Sequence, residues 1–198
     1  LHFHDRRQRQ MCIRDCCITL KGITAEYLLH RAYHLKKGDK VLYHAAAGAL
    51  GQILCPWANS IGAEIIGTVG SKEKEEIAKK NGCHHIINYT DKNFVEEVEK
   101  IVGKNGIDVV YDGVGLKTFE GSIEVLKIRG MMVAFGNASG YVDTIDVKKH
   151  INAKGLFFTR PSIAHYTIER DELLEAAKKV FDAVSVSYTH LRAHETDI

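Results

Sequence analysis

The feature that most constrains this chain is a small-residue turn between a short apolar run and a helical pattern. Residues 41–43 favour a strand, residues 44–51 are mostly small, and a helical pattern follows. The turn fits the dinucleotide-binding pattern G-x-G-x-x-G if Ala46 takes the first glycine position, with Gly48 and Gly51 in the second and third. In that pattern the first residue allows the tight turn, the second admits a pyrophosphate, and the third lets the helix pack closely. The phosphates would lie at the helix N-terminus, where free N–H groups favour negative charge.

Length and composition set broad limits. The chain has 198 residues, enough for one domain with a substantial core, and a formal net charge of +2, which favours neither nucleic acid nor a membrane surface. The sequence shows no signal-peptide core near its start and no apolar run of membrane-spanning length. The five cysteines form no C-x-x-C pair, so neither a zinc ribbon nor a disulfide framework is indicated. We expect a cytoplasmic protein with reduced thiols.

The two ends resemble translated sequencing adapters. At one end this resemblance covers residues 6–15, and at the other it covers residues 186–196. Segments of this kind are set aside before the fold is considered. We therefore expect adapter-derived tails at 1–16 and 186–198, a linking helix at 17–38, and a cofactor-binding domain at 39–185 that is an internal fragment of a longer protein.

Apolar strand patterns alternate with helical patterns along this domain. The predicted strands are residues 41–44, 64–69, 85–88, 107–111, 131–135 and 156–160. The predicted helices are residues 24–33, 49–60, 71–81, 93–102, 118–126 and 169–184, the first of them capped by Thr24. Pro56 is awkward in the second helix, because proline lacks the N–H that an interior turn of helix uses.

This alternation predicts the fold class. Strands that are apolar along their length, each followed by a helix, indicate a parallel sheet that is covered on both faces. With a glycine turn after the first strand, the expected fold is α/β: a doubly wound, parallel, six-stranded sheet of the Rossmann type with strand order 3-2-1-4-5-6. Small-residue turns also occur for packing alone, but this context favours a dinucleotide site.

The end of the second predicted strand selects between the two nicotinamide dinucleotides. NAD-binding domains place an acidic residue there to hold the ribose 2′-hydroxyl. This strand ends instead in Gly70-Ser71, and Lys72 and Lys74 follow. A hydroxyl with lysines suits a 2′-phosphate, which needs donors and positive charge. The alternative is a solvated helix start with Ser71 as its N-cap, and two nearby glutamates dilute the basic charge. Together these residues favour NADPH over NADH as the cofactor.

Six motifs together carry a family resemblance. They are residues 44–51 (HAAAGALG), 67–71 (GTVGS), 87–89 (INY), 109–112 (VVYD), 135–140 (FGNASG) and 159–161 (TRP). In combination they resemble the zeta-crystallin-like NADPH:quinone oxidoreductase family of the medium-chain dehydrogenase/reductase superfamily, over essentially all of residues 20–183. The family's glycine turn commonly continues Gly-Val-Gly, from which Ala49-Leu50 differs conservatively, and Pro56 is a further departure.

The resemblance implies a role for each matching position of this sequence. The residues bordering the pyrophosphate would be Ala47, Gly48, Ala49 and Leu50. The residues holding the adenosine 2′-phosphate would be Ser71, Lys74 and Tyr89. The residues near the nicotinamide would be Thr24, Phe135, Gly136 and Asn137. Plainer interpretations stay open for three of them: Tyr89 as a half-buried residue at a strand end, Phe135 as a core residue, and Thr24 as a helix cap.

The resemblance also implies an activity, the reduction of quinones by hydride from NADPH. In such a reaction the cofactor carries the chemistry, and the protein supplies orientation and a dry pocket. The residues themselves offer no nucleophile–base pair and no metal-ligand spacing, and Asp112 suits the orientation of a turn better than the role of a base. The catalytic residues are therefore left unassigned, and no metal is expected.

Several expectations about the whole protein follow from the family. Its substrate domain lies mostly before its cofactor domain, so we expect this chain to be the cofactor-binding domain of a two-domain enzyme and to be inactive by itself. We expect a small-molecule quinone as partner, a homodimer through residues 156–160, and neither a membrane nor a nucleic acid. Two alternatives stay open: another zinc-free reductase such as an enoyl reductase, and a non-catalytic NADPH- or RNA-binding protein.

Overall fold

The computed structural model describes residues 19–191, which form a six-stranded sheet with helices on both faces. The strands are β1 (Lys40–His44), β2 (Glu64–Val69), β3 (His85–Asn88), β4 (Ile107–Asp112), β5 (Leu126–Ala134) and β6 (Phe157–Thr159). The helices are α1 (residues 19–27), α2 (Gly51–Ile61), α3 (Lys72–Lys80), α4 (Phe94–Val102), α5 (Phe119–Val125) and α6 (Arg170–Leu191). All neighbouring strands pair in parallel, in the order β3-β2-β1-β4-β5-β6. The predicted doubly wound fold and its strand order are confirmed.

The two faces of the sheet carry separate apolar cores. Along β1, Val41 and Tyr43 belong to the core that includes Leu54 of α2, whereas Leu42 belongs to the core that includes Val98 of α4. Successive side chains of a strand point to opposite faces, so a strand covered on both faces must be apolar along its whole length. This is why the strand patterns in the sequence are continuous rather than alternating.

The start of α1 differs from the prediction. Thr24 was expected to cap a helix over 24–33, and this is wrong, because residues 19–27 are already helical. Inside the helix the Thr24 hydroxyl donates to the Leu20 carbonyl at 2.8 Å, which is the other way that a threonine satisfies its side chain. A π-turn, Leu28–Ala32, continues the helix, and the Leu28 carbonyl accepts a hydrogen bond from the Tyr111 hydroxyl at 3.0 Å.

β5 begins earlier than the predicted 131–135 and is irregular at its start. It follows α5 directly at Leu126, and its register with β4 shifts in this region. Arg129 has a φ of 61°, in the left-handed region, and its N–H donates to the Lys154 carbonyl at 2.9 Å. The sequence prediction assigns residues 127–130 neither to the helix at 118–126 nor to the strand at 131–135.

Pro56 lies inside α2, and the helix continues through it. Because proline has no N–H, the carbonyl of Gln52, four residues earlier, accepts no helical hydrogen bond from Pro56. Gln52 is on the exposed side of α2, where water can hydrogen-bond that carbonyl. The cost of this proline is therefore reduced by its position.

The predicted domain boundaries remain predictions. α6 continues to Leu191, past the boundary placed after Ser185. The tail predicted at 1–16, and residues 192–198 of the other tail, lie outside the described residues. Of the cysteines in the described range, Cys55 and Cys83 are buried free thiols.

Candidate functional site

The turn after β1 is tightly packed. Ala45 adopts the left-handed conformation, with a φ of 62°, and Ala46, the small residue expected to allow the tight turn, follows it within the turn. Ala46 is buried, and its N–H donates to the Thr68 carbonyl at 3.0 Å. A Cβ at Gly67 of β2 would lie 2.7 Å from the Ala46 Cβ. Alanine fits the first position of the motif because its neighbour in β2 is glycine.

The two glycines of the motif differ in what a side chain would meet. A Cβ at Gly51 would lie 2.2 Å from the Ala46 carbonyl oxygen, which leaves no room for a side chain between α2 and the turn. A Cβ at Gly48 would lie 3.1 Å from the Ala45 carbonyl oxygen, and Gly48 is exposed. Gly51 therefore serves the close packing that the motif predicts, while Gly48 leaves an open backbone surface.

The N-terminus of α2 presents backbone N–H groups to that open surface. The amides of Ala47, Ala49 and Leu50 donate to no acceptor within residues 19–191. Leu50 precedes the helix without a side-chain cap, and the first turn holds no acidic residue. Free N–H groups and the helix dipole both favour an anion. The turn therefore fits a pyrophosphate.

The residues predicted for a 2′-phosphate come together at the end of β2. Ser71 occupies the N-cap position of α3, and the Tyr89 ring covers Gly70 so closely that a Cβ there would lie 2.6 Å from the Tyr89 hydroxyl oxygen. Lys74 lies one turn into α3, where its N–H donates to the Ser71 carbonyl at 3.2 Å and its side chain is exposed. The Tyr89 side chain is 46% exposed, as expected for a half-buried residue at a strand end, and it lies directly beside Gly70 and Ser71.

The glutamates near this cluster have partners of their own. Glu75 accepts a hydrogen bond from the Asn88 side-chain amide at 3.1 Å. Glu73 is exposed, and a hydrogen bond from the Ser71 hydroxyl is the main cause that lowers its pKa. The positive charges at the site are those of Lys72 and Lys74.

The loops after β4 and β5 are bonded to each other. The Ser139 N–H donates to the Val114 carbonyl at 2.7 Å. A Cβ at Gly136 would lie 2.4 Å from the Gly113 carbonyl oxygen, so the two backbones are in direct contact. Gly136, one of the residues predicted near a nicotinamide, is therefore required for the loop-to-loop packing.

Phe135 lies at the base of these loops. Its ring is nearly parallel to the Tyr43 ring, with the ring centroids 6.2 Å apart, and it is partly buried. Phe135 packs against the buried core of this face without being fully buried, and its contact with a cofactor remains a prediction. The Asn137 carbonyl accepts the Gly140 N–H at 3.0 Å, which closes the loop beyond it.

Asp112, the last residue of β4, orients the loop that follows, as predicted. One oxygen of its buried carboxylate accepts the N–H groups of Val114 at 2.7 Å and Gly115 at 2.9 Å. The other oxygen accepts the hydroxyl of Thr118 at 2.7 Å and that of Ser122 at 3.4 Å. Asp112 thus fixes both the loop and the start of α5.

His44, the last residue of β1, is a candidate that the sequence reasoning did not single out. The side chain is buried, its Nδ1 lies 2.9 Å from Thr68 Oγ1, and its Nε2 lies 3.0 Å from Ser122 Oγ. Burial lowers the pKa of His44 more than the nearby Asp112 carboxylate raises it. The one available signal is a histidine that ends an apolar strand directly before the small-residue turn.

Two further expectations concern residues outside this edge of the sheet. Thr24 lies inside α1, and its placement near a nicotinamide remains a prediction. Across residues 19–191, no three His, Cys, Asp or Glu side chains are grouped so that they could hold a metal ion. No helix in that range is both long and apolar enough to span a bilayer.

The geometry defines a class of protein. An open, glycine-lined helix N-terminus follows β1, and the order of the strands reverses between β1 and β4, where doubly wound folds bind their ligands. Together these features define a dinucleotide-binding domain.

Comparison with known proteins identifies the family. A family model described as zinc-binding dehydrogenase matches residues 49–185. The chain is 48% identical over 180 residues to a 2-haloacrylate reductase of a Burkholderia species, covering 90% of this chain and 54% of that protein. It is 44% identical over 167 residues to quinone oxidoreductase 1 of Escherichia coli K12, covering 84% and 51%. The crystal structure of an Escherichia coli quinone oxidoreductase complexed with NADPH matches with a TM-score of 0.80 at 43% identity, over 84% of this chain and 52% of that one.

The chain belongs to the zinc-binding dehydrogenase family, within the medium-chain dehydrogenase/reductase superfamily, and is similar to quinone oxidoreductases of that superfamily. The predicted family resemblance is confirmed. The chain spans about half the length of the relatives it matches.

Proposed function

We propose that this chain is the cofactor-binding domain of an NADPH-dependent quinone reductase. The observation that carries the proposal is the cluster of Ser71, Lys74 and Tyr89 at the end of β2, where an NAD-binding domain would present an acidic residue. The likeness to a quinone oxidoreductase whose structure contains NADPH supports the same cofactor and activity. A cytoplasmic location remains a prediction.

In the proposed reaction this chain binds and orients the cofactor. When bound, NADPH would supply the hydride for reduction of the quinone. The pyrophosphate would be held by Ala47, Gly48, Ala49 and Leu50, and the 2′-phosphate by Ser71, Lys74 and Tyr89. The nicotinamide would lie near Thr24, Phe135, Gly136 and Asn137. Fixed placement of hydride donor and acceptor can supply about 7–11 kcal/mol of the barrier.

A second candidate function has support of its own. The relative that is 48% identical is named a 2-haloacrylate reductase, so the acceptor could instead be an activated alkene, as in the enoyl reductase alternative. Both candidates use the same cofactor site. Oxidation of NADPH by the full-length protein, followed by its absorbance with a soluble quinone, a 2-haloacrylate and an enoyl thioester in parallel, separates them. A rate only with an alkene would replace the quinone proposal.

Lys74→Ala is expected to weaken NADPH binding by about 1–3 kcal/mol, the range for hydrogen bonds to charged groups, and to leave NADH binding unchanged. The reason is that only NADPH carries the 2′-phosphate that Lys74 would face. Fluorescence titration of both dinucleotides measures the two effects. Lys104→Ala, an exposed lysine beyond α4, serves as the matched control. Equal affinities of the unmodified chain for NADPH and NADH would contradict the assignment.

We also propose that two copies of the protein pair through β6. This strand is at the edge of the sheet, and Phe157 in it is 59% exposed. Phe157→Pro should abolish the dimer, because proline cannot donate to a strand ladder. Phe157→Ala keeps the N–H and should retain the dimer. Light scattering measures the mass, and circular dichroism shows that the variants are folded; a folded proline variant that stays dimeric would exclude this interface.

A further inference from the structure

The His44 side chain connects three elements at the site where the order of the strands reverses. Through Nδ1 it meets Thr68, which lies in β2 three residues before Ser71. Through Nε2 it meets Ser122 in α5, on the other side of β1. The Ser122 hydroxyl donates in turn to Asp112, whose carboxylate fixes the loop after β4. One buried imidazole therefore links the turn after β1 to both neighbouring parts of the site.

The hydrogen bonds define the form of this ring. Ser122 donates its proton to Asp112, so its oxygen accepts from His44 Nε2–H. His44 Nδ1 then accepts the Thr68 hydroxyl, and the ring is the neutral Nε2–H tautomer with both nitrogens satisfied. The charged group that faces the ring is Asp112, and the Phe94 ring of α4 meets it edge-on at 5.1 Å. A neutral ring agrees with the direction in which burial moves the pKa of His44.

The two hydrogen bonds of the His44 ring connect different pairs of structural elements. β1 and β2 already pair along five residues, with His44 opposite Thr68, so the bond to Thr68 joins elements that the sheet joins anyway. The bond to Ser122 reaches α5, which is outside the sheet. This second bond ties the end of β1 directly to α5, which the pairing of β1 with β4 in the sheet does not do.

We propose that His44 is a positioning residue for the dinucleotide, and that its hydrogen bond to Ser122 holds the turn after β1 and the loop after β4 at the separation that the nucleotide needs. The proposal rests on the proposed function, because that separation matters only if a dinucleotide binds between the two loops. His44 acts through the backbone that it positions, since its buried ring makes no contact with the surface of the site.

Three substitutions separate the two bonds. His44→Phe keeps the ring shape and removes both bonds, and is expected to weaken NADPH binding about tenfold, as for one lost buried hydrogen bond. His44→Gln places an amide near the position of Nε2 and should restore most of the affinity. His44→Asn places an amide near the position of Nδ1, restores only the contact with Thr68, and should bind NADPH as weakly as His44→Phe.

Tyr111→Phe is the matched control, because it also removes a buried hydrogen bond from the core, the one to the Leu28 carbonyl. It should lower the urea midpoint of unfolding and leave NADPH affinity unchanged. All affinities are measured by fluorescence titration on the complete chain, at a temperature where each variant is fully folded by circular dichroism. Equal affinity in His44→Phe and the unmodified chain, or equal rescue by Asn and Gln, would overturn the proposal.

The nitrogen chemical shifts of His44 provide a test that does not depend on the ligand. Long-range ¹H–¹⁵N spectra of the unmodified chain should show the neutral Nε2–H tautomer in the range from pH 7 to 8. A ring that is charged in this range, or protonated on Nδ1, would overturn the hydrogen-bond assignment. If the unmodified chain fails to bind NADPH, the proposed function falls and this role falls with it. If the chain binds NADPH and His44→Phe binds it equally well, only this role falls.

Discussion

Asp112→Ala is expected to lower the free energy of unfolding by about 3 kcal/mol, because the substitution removes the acceptor of two backbone N–H groups. The carboxylate of Asp112 accepts the N–H groups of Val114 and Gly115, of which the second is buried. The Thr118 hydroxyl loses its bond to Asp112 as well but keeps the Gly115 carbonyl as an acceptor. Urea unfolding followed by circular dichroism gives the change directly.

Asp146→Ala provides the comparison for this prediction. Asp146 also accepts a backbone N–H, that of Lys149 at 3.0 Å, but it does so on the surface. The loss of such an exposed cap costs about 1 kcal/mol. If Asp112→Ala costs no more than Asp146→Ala, the carboxylate does not organise the loop as described.

Gly51→Ala is expected to destabilise the chain by about 3 kcal/mol, since a Cβ there would lie 2.2 Å from the Ala46 carbonyl oxygen. Both atoms belong to packed backbone, so neither can rotate away, and α2 would have to move off the turn. Thermal and urea unfolding measure the loss of stability.

Gly48→Ala makes the contrast within the same turn. Its Cβ would be 3.1 Å from the Ala45 carbonyl oxygen in an exposed position, so stability should change by less than about 1 kcal/mol. The added methyl group would stand where the proposed pyrophosphate binds, and NADPH affinity should fall at least about tenfold, equivalent to 1.4 kcal/mol. Equal free energies of unfolding for Gly51→Ala and Gly48→Ala would contradict the different roles assigned to the two glycines.

The sheet could be predicted because its determinants are local. Strands such as β2 and β3 have the predicted bounds, since continuous apolar runs bounded by turn residues are specific to a doubly covered parallel sheet. The order of the strands followed from the small-residue turn after β1, which ties the chain to one topology. Asp112 could be predicted for the same reason, because its main partners are two and three residues away.

The errors arose where distant residues decide the local structure. The left-handed conformation of Ala45 and the close contact of Ala46 with Gly67 in β2 were not predicted, and no residue type in the turn itself indicates them. The early start of β5 depends on a bond from Arg129 to Lys154. The network of His44 joins residues that are 24 and 78 positions away from it, so no spacing rule could have found it.

The bonded loops after β4 and β5 have a consequence for the entropy of binding. Flexible loops that order around a ligand lose about 1–2 kcal/mol per residue in backbone freedom, which subtracts from the affinity. Here Ser139 is tied to Val114, and Gly136 lies against Gly113, before any nucleotide arrives. That part of the entropic cost is met when the chain folds. A ligand entering this cleft would therefore retain more of its contact energy as affinity.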